Sequence, residues 1–338
     1  MEDNIQKIRR RKFFQLCGSL VAGGSIAGLS AFLLHKRWSY PEELRRNNSV
    51  RPERDAFLSP YKRASSFKTP GVIEAFELTE NRIIAAVSNQ ILIYDADGKL
   101  VNTFAIGSNL RDIATGGGHI YLLFPARIEV YRQDGEWLRE WEACSDQSDY
   151  CSMAVASGTL FVTDAANKNI CQYTTEGGFV RFIQSPDGFI IPSYSFGITC
   201  VNGIMYCSNP GRHRVEKYTP DGEYIASFGK AGGAAGMFCG CCNPVYVEYA
   251  PTGEIITSEK GNPRISCYSP DGEFRSLLLD SKALGGGNTA YHVKVSENKL
   301  VVAGKDLIST FQYDKTLAAK TACSDCKTDC PLRAGLKI

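Results

Sequence analysis

Histidine is scarce in this chain: there are four in 338 residues, His35, His119, His213 and His292. No strand-turn-helix nucleophile elbow is present, no phosphate-cradling glycine loop, and no paired-carboxylate signature. Nucleophile-elbow hydrolases and phosphate-loop nucleotide enzymes are therefore set aside. The glycine clusters at 116–118, 232–233 and 285–287 do not join a strand to a helix, so they read as flexible connections. An excess of basic charge is also missing from most of the chain. Residues 1–70 hold 14 Lys and Arg against 6 Asp and Glu, which leaves the remainder with 24 basic and 30 acidic residues. A body with a net charge of −6 argues against nucleic acid as a partner. Finally, the apolar run near the amino end has no Ala-x-Ala cleavage site before Lys36.

What the chain does contain is a phrase returning six times: ILIYDADGKL at 91–100, IEVYRQDGEW at 128–137, ICQYTTEGGF at 170–179, VEKYTPDGEY at 215–224, ISCYSPDGEF at 265–274 and, degenerately, ISTFQYDKTL at 308–317. Its aromatic anchors are Tyr94, Tyr131, Tyr173, Tyr218, Tyr268 and Phe311, spaced 37 to 50 residues apart. Three residues after each comes an acid, and Gly follows the acid in every copy but the last. An acid-Gly pair between two β-prone runs is a hairpin signal, because Gly accepts positive φ without steric cost. Four short strands per repeat of about 40 residues predict an all-β, six-bladed propeller. The expected blades are 71–106, 109–142, 150–184, 193–229, 243–279 and 290–316. The last has three clear strands, and a segment near Ser65–Thr69 is expected to supply the fourth and close the ring. Each Tyr-x-x-acid-Gly unit is first of all a core anchor plus a turn.

The turn residues resemble NHL repeats, whose pattern runs Asp-x-x-Asn-x-Arg-Val/Ile-x-x-Tyr/Phe-x-x-x-Gly. Blade three has Asp164, Asn167, Ile170 and Tyr173; blade four has Asn209, His213, Arg214, Val215 and Tyr218, departing with Asn209 where Asp is usual and Arg212 where Asn is usual; blade five has Glu259, Asn262, Arg264, Ile265 and Tyr268. Blades one, two and six match only in their apolar frame. The resemblance covers about 71–316. It implies protein-binding or signalling modules, or a few lyases and hydrolases. A metal-dependent lyase of that kind would gather several histidines in the central channel. Here only His292 lies in an expected inner strand, with Asp112 and Tyr246 in the equivalent strands of blades two and five. These three are the expected channel-lining residues. His213 reads as structural.

The amino end sets an expected compartment. Lys7, Arg9, Arg10, Arg11 and Lys12 precede 22 uncharged residues, Phe13 to Leu34, which is long enough to span a bilayer. Arg10, Arg11 and Phe13 resemble a twin-arginine export signal, with Arg9, Phe14 and Gln15 departing from its usual flanks. Such signals imply export of folded proteins, often carrying a cofactor. Residues 1–35 are thus expected to be a signal or membrane anchor, a transmembrane helix with its basic end inside. Residues 36–70 read as a linker with nine Lys and Arg against four acids, within which 41–48 is a candidate short helix. The expected location is the bacterial cell envelope, with the propeller on the periplasmic side.

Cysteine is plentiful, at 13. Cys17 lies in the anchor. Cys171, Cys200, Cys207 and Cys267 fall within strand patterns, where free thiols act as small apolar side chains; Cys200 and Cys207 flank a turn and could pair across it. Eight more are in loops: Cys144 and Cys151 between blades two and three, Cys239, Cys241 and Cys242 between blades four and five, and Cys323, Cys326 and Cys330 in the tail at 317–338. Topology is expected to bring these three segments to one rim. The tail's C-x2-C-x3-C-P is similar to the last three positions of a ferredoxin run, with Lys320 in the place of the first Cys. The eight thiols suit an iron–sulfur cluster or zinc. In an oxidising compartment they equally suit disulfides, with Cys144–Cys151 as one expected bridge; free or lipid-modified thiols are a third reading.

Three functions follow as expectations. The first is a membrane-tethered scaffold that binds a protein or small ligand on one propeller face. The second is a redox accessory protein with a metal or iron–sulfur site on the cysteine rim. The third is a lyase or hydrolase working in the channel.

Overall fold

The computed structural model describes residues 59–296, 299–314 and 316. The anchor, most of the linker including the candidate helix at 41–48, and the tail from 317 lie outside them. The described residues form six four-stranded antiparallel sheets. Blade one is β2–β5 (Ile73–Leu78, Arg82–Val87, Gln90–Asp95, Leu100–Ala105), and blade two is β6–β9 (Asp112–Gly116, His119–Phe124, Arg127–Arg132, Trp137–Glu142). Blade three is β10–β13 (Tyr150–Ala156, Thr159–Asp164, Asn169–Thr174, Phe179–Ile183), and blade four is β14–β17 (Ile198–Val201, Ile204–Asn209, Arg214–Tyr218, Tyr224–Phe228). Blade five is β18–β21 (Tyr246–Tyr249, Ile255–Glu259, Arg264–Tyr268, Phe274–Leu279), and blade six is β22–β24 (His292–Ser296, Lys299–Gly304, Leu307–Tyr313). The first strand of the described chain, β1 (Tyr61–Lys68), pairs antiparallel with β24 and completes blade six. The closing strand is therefore where the sequence pattern expects it, but it begins at Tyr61, within the stretch read as linker.

The architecture is a six-bladed β-propeller. Successive inner strands pack side by side around the centre, and β22 meets β2 to shut the circle. In blade three the middle strands β11 and β12 are almost wholly buried, whereas the outer strand β13, with burial only at Ile183, faces solvent. The burial takes in polar side chains as well, since Thr163, Asp164, Asn169 and Gln172 of β11 and β12 are buried beside Leu160, Phe161, Val162, Ile170, Cys171 and Tyr173.

The repeated phrase does two physical jobs at once. Its aromatic anchor sits on the third strand of a blade and packs against an aromatic on the outer strand of the preceding blade: Phe67 lies 4.9 Å from Tyr94, Phe104 5.0 Å from Tyr131, and Phe228 5.0 Å from Tyr268 between ring centroids. The turn glycine after it takes positive φ, for example +91° at Gly135. It also has no room for a side chain: a Cβ at Gly135 would stand 2.6 Å from Phe104, and one at Gly98 2.5 Å from Phe67. The glycine thus serves as a docking notch between blades as well as a turn. This explains the degenerate sixth copy. In blade six the third and outer strands, β24 and β1, come from opposite ends of the chain, so no turn joins them and no notch glycine is needed.

Buried tyrosine hydroxyls at two anchors are satisfied on the same strand face. In blade two, Arg127 Nε donates to Glu129 Oε1 at 2.7 Å and Tyr131 donates to Glu129 Oε2 at 2.8 Å. Blade four repeats the arrangement with Arg214, Glu216 and Tyr218. Residues two apart on a strand share a face, which is why Arg-x-Glu-x-Tyr forms one row.

Candidate functional site

Inner strands start at one face of the propeller, where the blade-to-blade links lie, and end at the other. The channel wall between them carries a cluster of charged side chains. Lys294 on β22 places Nζ 2.5 Å from Glu248 Oε2 on β18 and 3.1 Å from Glu77 Oε2 on β2. Glu248 Oε1 also accepts from Thr199 Oγ1 on β14 at 3.2 Å. One ammonium thus ties together three consecutive blades, five, six and one. Burial opposes its charge, but Glu248 and Glu77 outweigh that and hold the Lys294 amine well above its ordinary value. Burial pushes the Glu77 carboxyl up to about 7, with Lys294 pulling the other way. Asp112, at the start of β6, is also raised by burial. It accepts from Ser152 Oγ at 2.7 Å and from the Met153 amide at 2.9 Å, linking blades two and three.

Toward the link face stand Tyr246 and His292. Their rings stack at 4.2 Å, and the Tyr246 hydroxyl meets His292 Nε2 at 3.1 Å. Burial, helped by Lys294, lowers the His292 pKa to about 4. The ring is neutral at physiological pH and shares its hydrogen bond with Tyr246, whose own pKa burial raises.

Above this pair the channel opens into a cavity of about 560 Å³. Its rim carries Arg111, Lys260, Ser193 and Tyr194. Ser193 and Tyr194 both hold left-handed backbone, φ +56° and +55°. Tyr194 is 56% exposed, and the Arg111 guanidinium lies 5.7 Å from its ring. Lys260 Nζ donates to Ser195 Oγ at 3.1 Å. The opposite mouth is smaller, about 320 Å³, with Glu77, Glu248 and Lys294 forming its floor.

Of the expected channel residues, Tyr246 and His292 come together, while Asp112 bonds to the neighbouring blade. Sequence reasoning missed Glu77, Glu248 and Lys294. Their signal is period-2 spacing: His292 and Lys294, and Tyr246 and Glu248, sit two apart on inner strands and so share the channel face.

The described cysteines are arranged differently from expectation. Cys144 does not face Cys151. Its Sγ lies 3.2 Å from Cys171 Sγ, whereas Cys151 packs on the other side of β10, toward blade four. Cys200 and Cys207 do not pair either: across the β14–β15 hairpin Cys200 opposes Met205 and Cys207 opposes Ile198. Cys241 and Cys242 bring their sulfurs to 3.1 Å, and Cys242 Sγ contacts Ser193 Oγ on the cavity rim at 3.4 Å. The Cys239 amide donates to Glu259 Oε2 at 3.3 Å. Among the described residues, no three His, Cys, Asp or Glu side chains converge as a metal site. Cys323, Cys326 and Cys330 lie outside the described residues, as do Arg10, Arg11 and Phe13. β24 ends at Tyr313 beside the start of β1, on the face of the acid-Gly turns and opposite the links that hold Cys144 and Cys239–Cys242.

No protein-family model matches the sequence. No curated protein matches it either. Solved structures do match in fold. A catalytically inactive histidine-to-alanine variant of virginiamycin B lyase from Staphylococcus aureus, with quinupristin, superposes with a TM-score of 0.53 at 15% identity, covering 75% of this chain and 99% of that one. A streptogramin B lyase gives 0.53 at 14% identity over 75% and 88% of the two chains. The β-propeller domain of Cps50 (Swd1) from Myceliophteria thermophila gives 0.54 at 9% identity over 75% and 99%. At these identities the likeness establishes the six-bladed propeller class and nothing finer.

Proposed function

We propose that this chain is an NHL-type binding propeller, held outside the cytoplasm of a bacterial cell by its amino-terminal segment, and that it takes its ligand in the link-face mouth of the channel. The observation that carries this reading is the form of that mouth: an open cavity of about 560 Å³ with an exposed tyrosine and two cationic side chains on its rim. Deeper in the channel the Lys294–Glu77–Glu248 cluster lines the wall of blades five, six and one. Lys260, and Arg111 beside its Asp149 partner, favour a ligand with an anionic group, and the exposed Tyr194 and Val72 offer apolar surface beside them. A peptide ending in a carboxylate, or a small carboxylated molecule, has that chemistry.

The channel groups favour binding over catalysis. A histidine titrating near 4 is a weak proton acceptor at neutral pH. His292 is also the one histidine on the six described inner strands, where the lyase reading calls for several. The redox reading calls on Cys323, Cys326 and Cys330; among the described thiols two pairs bring their sulfurs close, Cys241 with Cys242 and Cys144 with Cys171.

Site-specific photocrosslinking tests the proposal. A photoreactive phenylalanine placed at Tyr194 in the full chain in cells should trap a discrete species, and Arg111→Ala with Lys260→Ala should abolish the product. The same probe at Trp137, on the exposed outer strand β9, should not give it. Equal products from both positions, or none from Tyr194, would show that the mouth is not the binding site.

A further inference from the structure

We infer that Cys144 and Cys171 are the partners of a disulfide that staples blade two to blade three. The two thiols come from different blades: Cys144 follows the outer strand β9, and Cys171 lies on β12, the third strand of the next blade. Their sulfurs are already 3.2 Å apart, so closing to a covalent S–S bond of about 2 Å asks for a movement of roughly 1 Å.

Local structure selects this partner over Cys151. Tyr150 and Cys151 are consecutive on β10, and consecutive strand residues face opposite sides of a sheet. Tyr150 faces blade two and Cys151 faces blade four. Cys144 is held on the Tyr150 side from two directions: its amide donates to the Tyr150 hydroxyl at 3.2 Å, and that hydroxyl lies 3.6 Å from Cys144 Sγ. Tyr150 is itself fixed by Tyr173 at 2.5 Å between hydroxyl oxygens. The result is a rigid pocket in which Cys144 points at Cys171 and away from Cys151.

The step requires an oxidant, here a small-molecule disulfide or an oxidised dithiol protein. Cys144 is half-buried and Cys171 fully buried, with its thiol pushed up by burial, so Cys144 makes the first attack. Its thiolate attacks one sulfur of the oxidant, forming a mixed disulfide and releasing one thiol. Cys171 then attacks Cys144 Sγ, forming the staple and releasing the second thiol. Two protein thiols are oxidised and one disulfide is reduced to two thiols. The geometry holds in any compartment, so the inference stands apart from the proposed location.

Peptide mapping decides it. Trypsin cuts after Arg139, Lys168 and Arg181, so Cys144 and Cys151 share the 140–168 peptide while Cys171 lies in 169–181. Native full chain treated with oxidised glutathione, alkylated and digested without reductant should yield those two peptides linked, lighter by two hydrogens than their sum. The link should persist in Cys151→Ser and vanish in Cys144→Ser. A bridge inside the 140–168 peptide, a link lost in Cys151→Ser, or two fully alkylated thiols after oxidation would overturn the inference.

Discussion

At the scale of single residues, the channel sets two titrations against each other. Glu77 keeps its proton up to about pH 7 in the fold, whereas an unfolded chain releases it near 4.5. Between those values the folded state binds more protons, so stability from this group is present below 4.5 and is lost as pH rises toward 7. His292 works in the other sense. The unfolded chain takes up its proton near 6.5 and the fold only near 4, so this contribution is present above 6.5 and is lost as pH falls through 4. The two slopes, each about 1.4 kcal/mol per pH unit at most, oppose and largely cancel across the shared window. His292→Gln should expose the Glu77 slope and become less stable as pH rises through that window, by about 2 kcal/mol. Glu77→Gln should show the reverse trend. Urea unfolding of both variants at several pH values between 4.5 and 6.5 checks this, and parallel curves for the two would show that these groups do not titrate as the channel geometry requires.

At the scale of elements, the notch glycine separates packing from backbone. Gly135 and Gly158 both hold positive φ, +91° and +77°. A Cβ at Gly135 would meet Phe104 at 2.6 Å, while one at Gly158 meets nothing within 4 Å. Gly158→Ala should therefore cost only the backbone penalty, about 1 kcal/mol. Gly135→Ala should cost that plus the displacement of Phe104, about 2–4 kcal/mol in total. Thermal unfolding of the pair checks the difference; equal losses would mean the blade contact adds nothing. The same elements show what was legible in the sequence and why. Blade boundaries fell within a few residues of expectation because each blade repeats an aromatic, an acid and a glycine whose joint role is local. The channel cluster was hidden because no local rule marks it. Lys294, Glu77 and Glu248 look like ordinary polar alternation on three strands more than 40 residues apart; the packing of successive blades brings Glu248 to Lys294, and ring closure brings Glu77 to it. The Cys144–Cys171 approach was missed for a related reason: sequence distance favoured Cys151, and the alternation of β10 turned it away.

At the scale of the whole molecule, closure rests on β1. Phe67 packs against Tyr94 and the Gly98 notch of blade one while its strand pairs with β24 of blade six. It therefore joins the two ends of the ring. Phe67→Ala should lower stability by about 1–3 kcal/mol, and the loss should be local. Hydrogen exchange is expected to speed up in β1 and β24 and to stay unchanged in β10–β13. A uniform increase across all blades would mean the seam is no weaker than any other boundary.

The seam also relates the order of synthesis to the order of assembly. Tyr61–Lys68 leaves the ribosome before any other described strand, yet its hydrogen-bonding partner, Leu307–Tyr313, is made after all the rest. A polypeptide stopped anywhere short of β24 leaves its first strand without a ladder and its circle gapped. Only a chain translated through its sixth blade is sealed, so the fold itself distinguishes a finished product from a fragment.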